Sequence, residues 1–158
     1  MRSFLLQVLL SLLLVACRAS SAPTPVAAVA VEPLTLTDID GRAHSVESSL
    51  AEGRPVVLVF WATWCSMCRA EMGHLAAASR EHPELEFFGV VSGSDAAVEE
   101  SRVRAIADEW FVPYPQVRDR DGSLAETFGV RGTPTVVVIG PGGEVLYQGN
   151  ELPDWGSF

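Results

Sequence analysis

Two cysteines separated by two residues, Cys65 and Cys68, constrain this chain more than any other feature. They stand in the run Trp61-Ala62-Thr63-Trp64-Cys65-Ser66-Met67-Cys68-Arg69-Ala70-Glu71. The stretch before it, Pro55 to Phe60, has the length and β-branched content of a buried parallel strand, and Ser66 to His82 is rich in helix-forming Ala, Glu, Arg, Met and Leu. The pair therefore sits where a strand feeds a helix. Unpaired backbone N–H groups and the positive end of the helix dipole favour an anion there, so Cys65 can hold a thiolate near neutral pH. Cys68, about one turn inside the helix, is expected to be the more buried sulfur.

The same spacing also fits half of a zinc site or a small structural disulfide. Zinc wants four ligands. The only other cysteine is Cys17, and His44, His74 and His82 lack the spacing of a finger. A disulfide across so short a loop restrains the unfolded chain little, which gives a purely stabilising role a weak rationale. The residues favour redox chemistry, with no metal and no cofactor beyond the Cys65–Cys68 pair itself.

A chain of 158 residues, 48% of them apolar, suffices for one well-packed domain and is too short for two of ordinary size. Its net charge is -9, and every basic residue is Arg. Nucleic acid is not an expected partner, because that would call for a basic patch. Residues 1–16 read as a signal peptide, with Arg2 as the charged start and Phe4 to Val15 as an apolar stretch too short to span a bilayer comfortably. Leu14-Val15-Ala16-Cys17 resembles a bacterial lipobox, which makes Cys17 the expected lipidation site and membrane anchor. Residues 17–33, largely Ala, Ser, Pro and Val, read as a tether spanning roughly 20 Å as a coil. Residues 34–158 form the expected domain. Export would put the dithiol in an oxidising compartment, where it needs a supply of electrons.

Along that domain, Leu34 to Val46 reads as a small hairpin turning at Asp38-Ile39-Asp40-Gly41, with His44 beside the turn and expected to be solvated. Ser48 to Gly53 suggests a short helical turn. After the dithiol helix come a buried strand over Leu85 to Val91, a helix capped by Asp95 and running to about Trp110, and a short strand from Gln116 to Arg118. Ser123 to Phe128 suggests a short helix. Thr135 to Ile139 and Glu144 to Gln148 pair through a Pro141-Gly142-Gly143 turn. Alternating strands and helices imply an α/β fold with a right-handed parallel unit.

Phe60-Trp61-Ala62-Thr63-Trp64-Cys65, Cys68-Arg69, Glu71 and Gly132-Thr133-Pro134-Thr135 together resemble the extracytoplasmic thioredoxin-like oxidoreductases of the TlpA-like or ResA-like group, over roughly Leu34 to Gly149. The resemblance implies a thioredoxin-like fold with a central mixed sheet flanked by helices, an N-terminal hairpin and a central insert. It implies an enzyme in which Cys65 attacks a protein disulfide and Cys68 resolves the intermediate, with Trp64, Thr133 and a cis Pro134 contacting substrate. It further implies a membrane electron donor and, among possible substrates, apocytochromes in cytochrome c maturation. The buried Asp of thioredoxins is replaced by Val59, and the chain has no Lys; Glu71, at the position this group uses instead, is the expected proton acceptor for Cys68. The alternative for Glu71 is a solvated carboxylate paired with Arg69 or Arg80. Gly149 to Phe158 is too short for the family's closing helix, leaving Trp155 and Phe158 to cover that sheet face, or the face open. The charges near the dithiol favour a reductase. A copper-handling relative is the alternative, although it would usually have three residues between the cysteines and a later His, and a peroxidase-type relative would have a different cysteine arrangement.

Overall fold

Six residues in succession, Val56–Trp61, are buried, as only a strand covered on both faces can be. In the computed structural model, which describes residues 33–94 and 97–158, this strand (β3) is the centre of a five-stranded sheet. β4 (Glu86–Ser92) and β5 (Gln116–Asp119) lie parallel on one side of it. β6 (Thr135–Ile139) and β7 (Val145–Gly149) lie antiparallel on the other, giving the order β5-β4-β3-β6-β7. The sheet is mixed, flanked by helices, and has a thioredoxin-like order.

Because side chains alternate across a strand, β3 divides its apolar residues between two cores. Val57, Val59 and Trp61 face α2 (Ser66–Glu81) and α3 (Glu100–Glu109). Val56, Leu58 and Phe60 face α1 (Val46–Ala51), the neighbourhood of Phe128 just after α4 (Ser123–Thr127), and the N-terminal hairpin. α2 buries Cys68, Met72, Leu75, Ala76 and Ala78, spaced as one helical face, and ends before Pro83.

The hairpin pairs β1 (Thr35–Thr37) with β2 (Ala43–Ser45). Asp38 tightens its turn, accepting from the backbone N–H groups of Asp40 and Arg42 at 2.9 Å each. Ile39 donates its N–H to the Gln116 carbonyl at 2.8 Å, which ties the turn to the β5 edge of the sheet. His44 is not solvated as expected: its Nε2 lies 2.8 Å from Asp38 Oδ2, and its ring meets Phe88 edge-on at 5.1 Å.

The helix expected from Asp95 begins at Glu100, with Glu99 at its N-cap and no side-chain cap; Asp95 lies outside the described residues. At the C-terminus no closing α-helix is present among the described residues. A 3-10 turn, Trp155–Ser157, takes up the position instead. Trp155 stacks obliquely on Phe87 at 5.2 Å, and Phe158 meets Trp155 at 6.4 Å, so these aromatics cover part of the α2 face. Among the described residues no helix is long and apolar enough to cross a membrane. Residues 1–16, Cys17 and nearly all of the 17–33 tether lie outside the described residues.

Candidate active site

The end of β3 and the start of α2 are joined by Ala62 to Cys65. Cys65 is the N-cap of α2, with extended backbone angles (φ −84°, ψ 102°), and its Sγ accepts the backbone N–H of Cys68 at 3.1 Å. A sulfur in this place receives one of the donors that the first helical turn leaves unpaired. That hydrogen bond and the helix dipole stabilise negative charge on Cys65 Sγ once the disulfide is reduced. Cys65 and Cys68 are disulfide-bonded, with an S–S distance of 2.04 Å and Cα atoms 5.2 Å apart. Cys65 is half-buried, whereas Cys68 is 0% exposed among Val59, Met72 and the rest of the α2 core.

The residues around the pair divide into exposed and buried sets. Trp64 is 66% exposed and Met67 68% exposed. The Trp64 ring lies over Gly93 in the loop after β4, where φ is +121° and a Cβ would fall 3.3 Å from the ring and 3.0 Å from Val98. Glycine is required there for both reasons. Trp61 is core: its Nε1 donates to Gln116 Oε1 at 2.9 Å, and its ring tilts against Trp110 at 5.3 Å. Gln116 in turn donates from Nε2 to the Tyr114 carbonyl at 2.7 Å, and the Tyr114 hydroxyl lies 3.5 Å from Met72 Sδ. Burial pushes the Tyr114 hydroxyl well above its ordinary titration range.

A cavity of about 240 Å³ opens on the α3 side of Cys65, between Thr63, Trp64, Ser66 and Arg69 on one wall and Arg102, Ile106, Glu109 and Trp110 on the other. Arg69 pairs with Glu109 across it at 3.2 Å. On the other side stands the loop before β6. The Thr133–Pro134 peptide is cis, Pro134 is buried and Thr133 half-buried. Thr135 pairs with Phe60, so the register brings this loop to the same end of the sheet as the dithiol.

Glu71 is one turn beyond Cys68 on α2, and its side chain is 38% exposed. Its carboxylate lies 3.5 Å from His74 Nδ1 rather than on Arg69 or Arg80. Arg69 meets Glu109, and Arg80 donates to the carbonyls of Ala76 and Phe111. The position thioredoxins fill with Asp, Val59, is fully buried and apolar. Among the described residues no three His, Cys, Asp or Glu side chains converge as a metal site would require. The buried Trp61–Gln116–Tyr114 line was not read from the sequence; its one local signal is a Gln opening a strand otherwise placed in the core.

The AhpC/TSA family matches residues 28–148 of this sequence. The chain belongs to the AhpC/TSA family. Within this family its relatives include the thiol-disulfide oxidoreductase ResA of Oceanobacillus iheyensis, 32% identical over 104 residues, which are 64% of this chain and 52% of that protein. The chain thus spans about half the length of that relative. Among solved structures, DsbF of Mycobacterium tuberculosis, in mixed oxidised and reduced forms, superposes with a TM-score of 0.66 at 28% identity, covering 79% of this chain and 89% of that one. The pneumococcal exposed lipoprotein thioredoxin of Streptococcus pneumoniae gives 0.65 at 26% identity, covering 79% and 93%. These likenesses place this AhpC/TSA chain with the ResA-like members of the thioredoxin fold.

Proposed function

We propose that the protein is an extracytoplasmic thiol-disulfide oxidoreductase that reduces disulfides in other proteins. The observation that carries this reading is the asymmetry of the pair: Cys65 is reachable and holds its sulfur on a helix N-terminus, while Cys68 is sealed behind it. In the reduced enzyme the Cys65 thiolate attacks one sulfur of a substrate disulfide, forming a mixed disulfide and releasing the other sulfur as a thiolate. Cys68 then loses its proton, with Glu71 as the acceptor, and attacks Cys65 Sγ. The substrate leaves as a dithiol, and the enzyme keeps the Cys65–Cys68 disulfide, so two electrons have passed to the substrate.

Reduction rather than oxidation is favoured by the charges. A strong oxidant needs a heavily stabilised thiolate. Ser66 and Met67 supply no cation, and the nearest one along α2, Arg69, is engaged by Glu109. Trp64 and the Thr133–Pro134 loop form opposite lips on which an extended substrate can lie, with the Thr133 backbone available to pair with it. A lipid anchor at Cys17, a tether, and a membrane-bound electron donor that re-reduces the pair complete the proposal; the likeness to a lipoprotein thioredoxin supports it. Apocytochrome disulfides in cytochrome c maturation are one substrate class compatible with this arrangement.

The test is a trap. Cys68→Ser, expressed with its signal sequence in a bacterial host, is expected to accumulate disulfide-linked partners through Cys65 that dithiothreitol releases, and to label with fatty acid unless Cys17 is also replaced. Absence of any Cys65-dependent adduct, together with no reduction of a protein disulfide by the wild type, would refute the proposal.

A further inference from the structure

We propose that the cavity beside Cys65 is a subsite for an acidic residue flanking the reacting cysteine of the substrate, with Arg102 as its counter-charge; this rests on the disulfide-reductase reading above. Cys65 forms part of the cavity wall, so a polypeptide whose sulfur meets Cys65 Sγ can lay a neighbouring residue into this space. At about 240 Å³ it falls below the roughly 300–1,000 Å³ of sites that enclose a small-molecule ligand, and suits part of a polypeptide instead.

Its charges are unequal. Arg69 and Glu109 satisfy each other at 3.2 Å. Arg102, the other cation in the wall, has no hydrogen-bond or ion-pair partner for its guanidinium among the described residues. Arg54, Arg69, Arg104 and Arg120 each meet a carboxylate of the chain, whereas Arg102 stands exposed at the cavity wall and open to a ligand's charge. The cavity is therefore locally positive in an acidic protein, and the indoles of Trp64 and Trp110 give it apolar walls that strengthen a charge interaction. Arg131 is likewise without a partner among the described residues, and it stands two residues before Thr133 in the loop on the other side of the dithiol. Arg131 lines a different pocket, with Thr135 and Val145 to Asn150, so the charge beside Cys65 is that of Arg102. A carboxylate on the α3-side flank of the substrate cysteine would pair with Arg102, and basic flanks would be repelled.

The test uses the full protein, reduced and freed of reductant, and three peptides that differ only beside a single cysteine, carrying Glu, Gln or Lys. Each peptide is supplied as a mixed disulfide with thionitrobenzoate, whose release is followed by absorbance. Cys65 attacks the peptide sulfur, thionitrobenzoate leaves as a thiolate, and Cys68 then frees the peptide thiol. The expected second-order rate for the Glu peptide exceeds that for the Lys peptide by about tenfold at low salt, with the ratio falling toward one at about 1 M salt. Arg102→Glu is expected to invert the preference, Arg102→Gln to reduce it, and Arg131→Glu to weaken it less. Arg42→Glu, in the hairpin turn and outside the cavity, controls for net charge and should leave the ratio alone. Equal rates for all three peptides, or an Arg42 variant that matches Arg102→Glu, would overturn the subsite while leaving the reductase standing. Failure to reduce any of the peptides would overturn both.

Discussion

The two faces of the central sheet are built from the same strands and differ in what they bury. On the α1 and hairpin face Leu36, Val46, Leu58, Phe60, Phe88, Val137 and Ile139 form an apolar cluster, against which stand His44, bonded to Asp38, and Ser49, bonded to Glu86. On the α2 and α3 face the core includes Cys68, Met72 and Tyr114, and Gln116 is buried beside Trp61 with both ends of its amide hydrogen-bonded. Burying such groups costs free energy unless every partner is present. Both faces thus hold buried polar groups with their partners, and they differ in kind: around the α1-side cluster these are Asp38, His44 and Ser49, while the dithiol-helix face buries the Trp61–Gln116–Tyr114 line beside Cys68.

The sharpest way to break this comparison is to damage each face in turn. Phe60→Ala, in the α1-side cluster, is expected to cost about 3–5 kcal/mol of unfolding free energy in a urea titration, while the folded fraction keeps its thiol reactivity. If reactivity fell with stability, the division of labour would be wrong. Gln116→Leu is expected to cost about 1–3 kcal/mol, because the Trp61 N–H loses its acceptor, and to change Trp61 fluorescence with it. A neutral result in both measurements would reduce Gln116 to packing.

A smaller effect is expected at Glu71. If Glu71, three residues after Cys68 on α2, is the proton acceptor proposed above, Glu71→Gln should make the dithiol less reducing, by about 30 mV for a repulsion worth about one pKa unit, and slow the resolving step. A redox titration against glutathione measures it. An unchanged potential and turnover would assign Glu71 to the solvated surface with His74.

The least effect is expected at the hairpin. Burial works to raise the Asp38 carboxyl, but hydrogen bonds from His44 and the Arg42 and Asp40 backbone outweigh it and hold the carboxyl below the usual range. A depressed folded value means that the contribution is present above the unfolded value of 3.8 and is lost as pH falls through the folded one. Unfolding followed between pH 6 and pH 2.5 should show this acid-side loss diminished in Asp38→Asn. An identical slope would contradict it.

What could be read from the residues in order was what neighbours decide. The dithiol at a strand-to-helix junction, the all-apolar β3 and the hairpin turn at Asp38 each depend on a few consecutive residues, and each is found where the sequence puts it; the cis Pro134, expected from the family resemblance, is found as well. The pairings that shape the site span the chain. Trp61 reaches Gln116 across 55 positions, and Arg69 meets Glu109 on a different helix, which removed it as a partner for Glu71. His44 looked solvated because Asp38 and Phe88, which enclose it, approach only when the hairpin docks. The last residues showed no helical length, and only the packing of Trp155 on Phe87 reveals how they cover the sheet.

The asymmetry between the two sulfurs is the centre of the account, and alkylation tests it most directly. The reduced protein is treated with limiting iodoacetamide at neutral pH and the modified cysteine is read by mass spectrometry. Cys65 is expected to react first, with Cys68 modified appreciably only after unfolding, because one sulfur caps the helix at the surface and the other is fully buried. Modification of Cys68 ahead of Cys65, or of both at equal rates in the folded protein, would contradict the assignment of attacking and resolving roles.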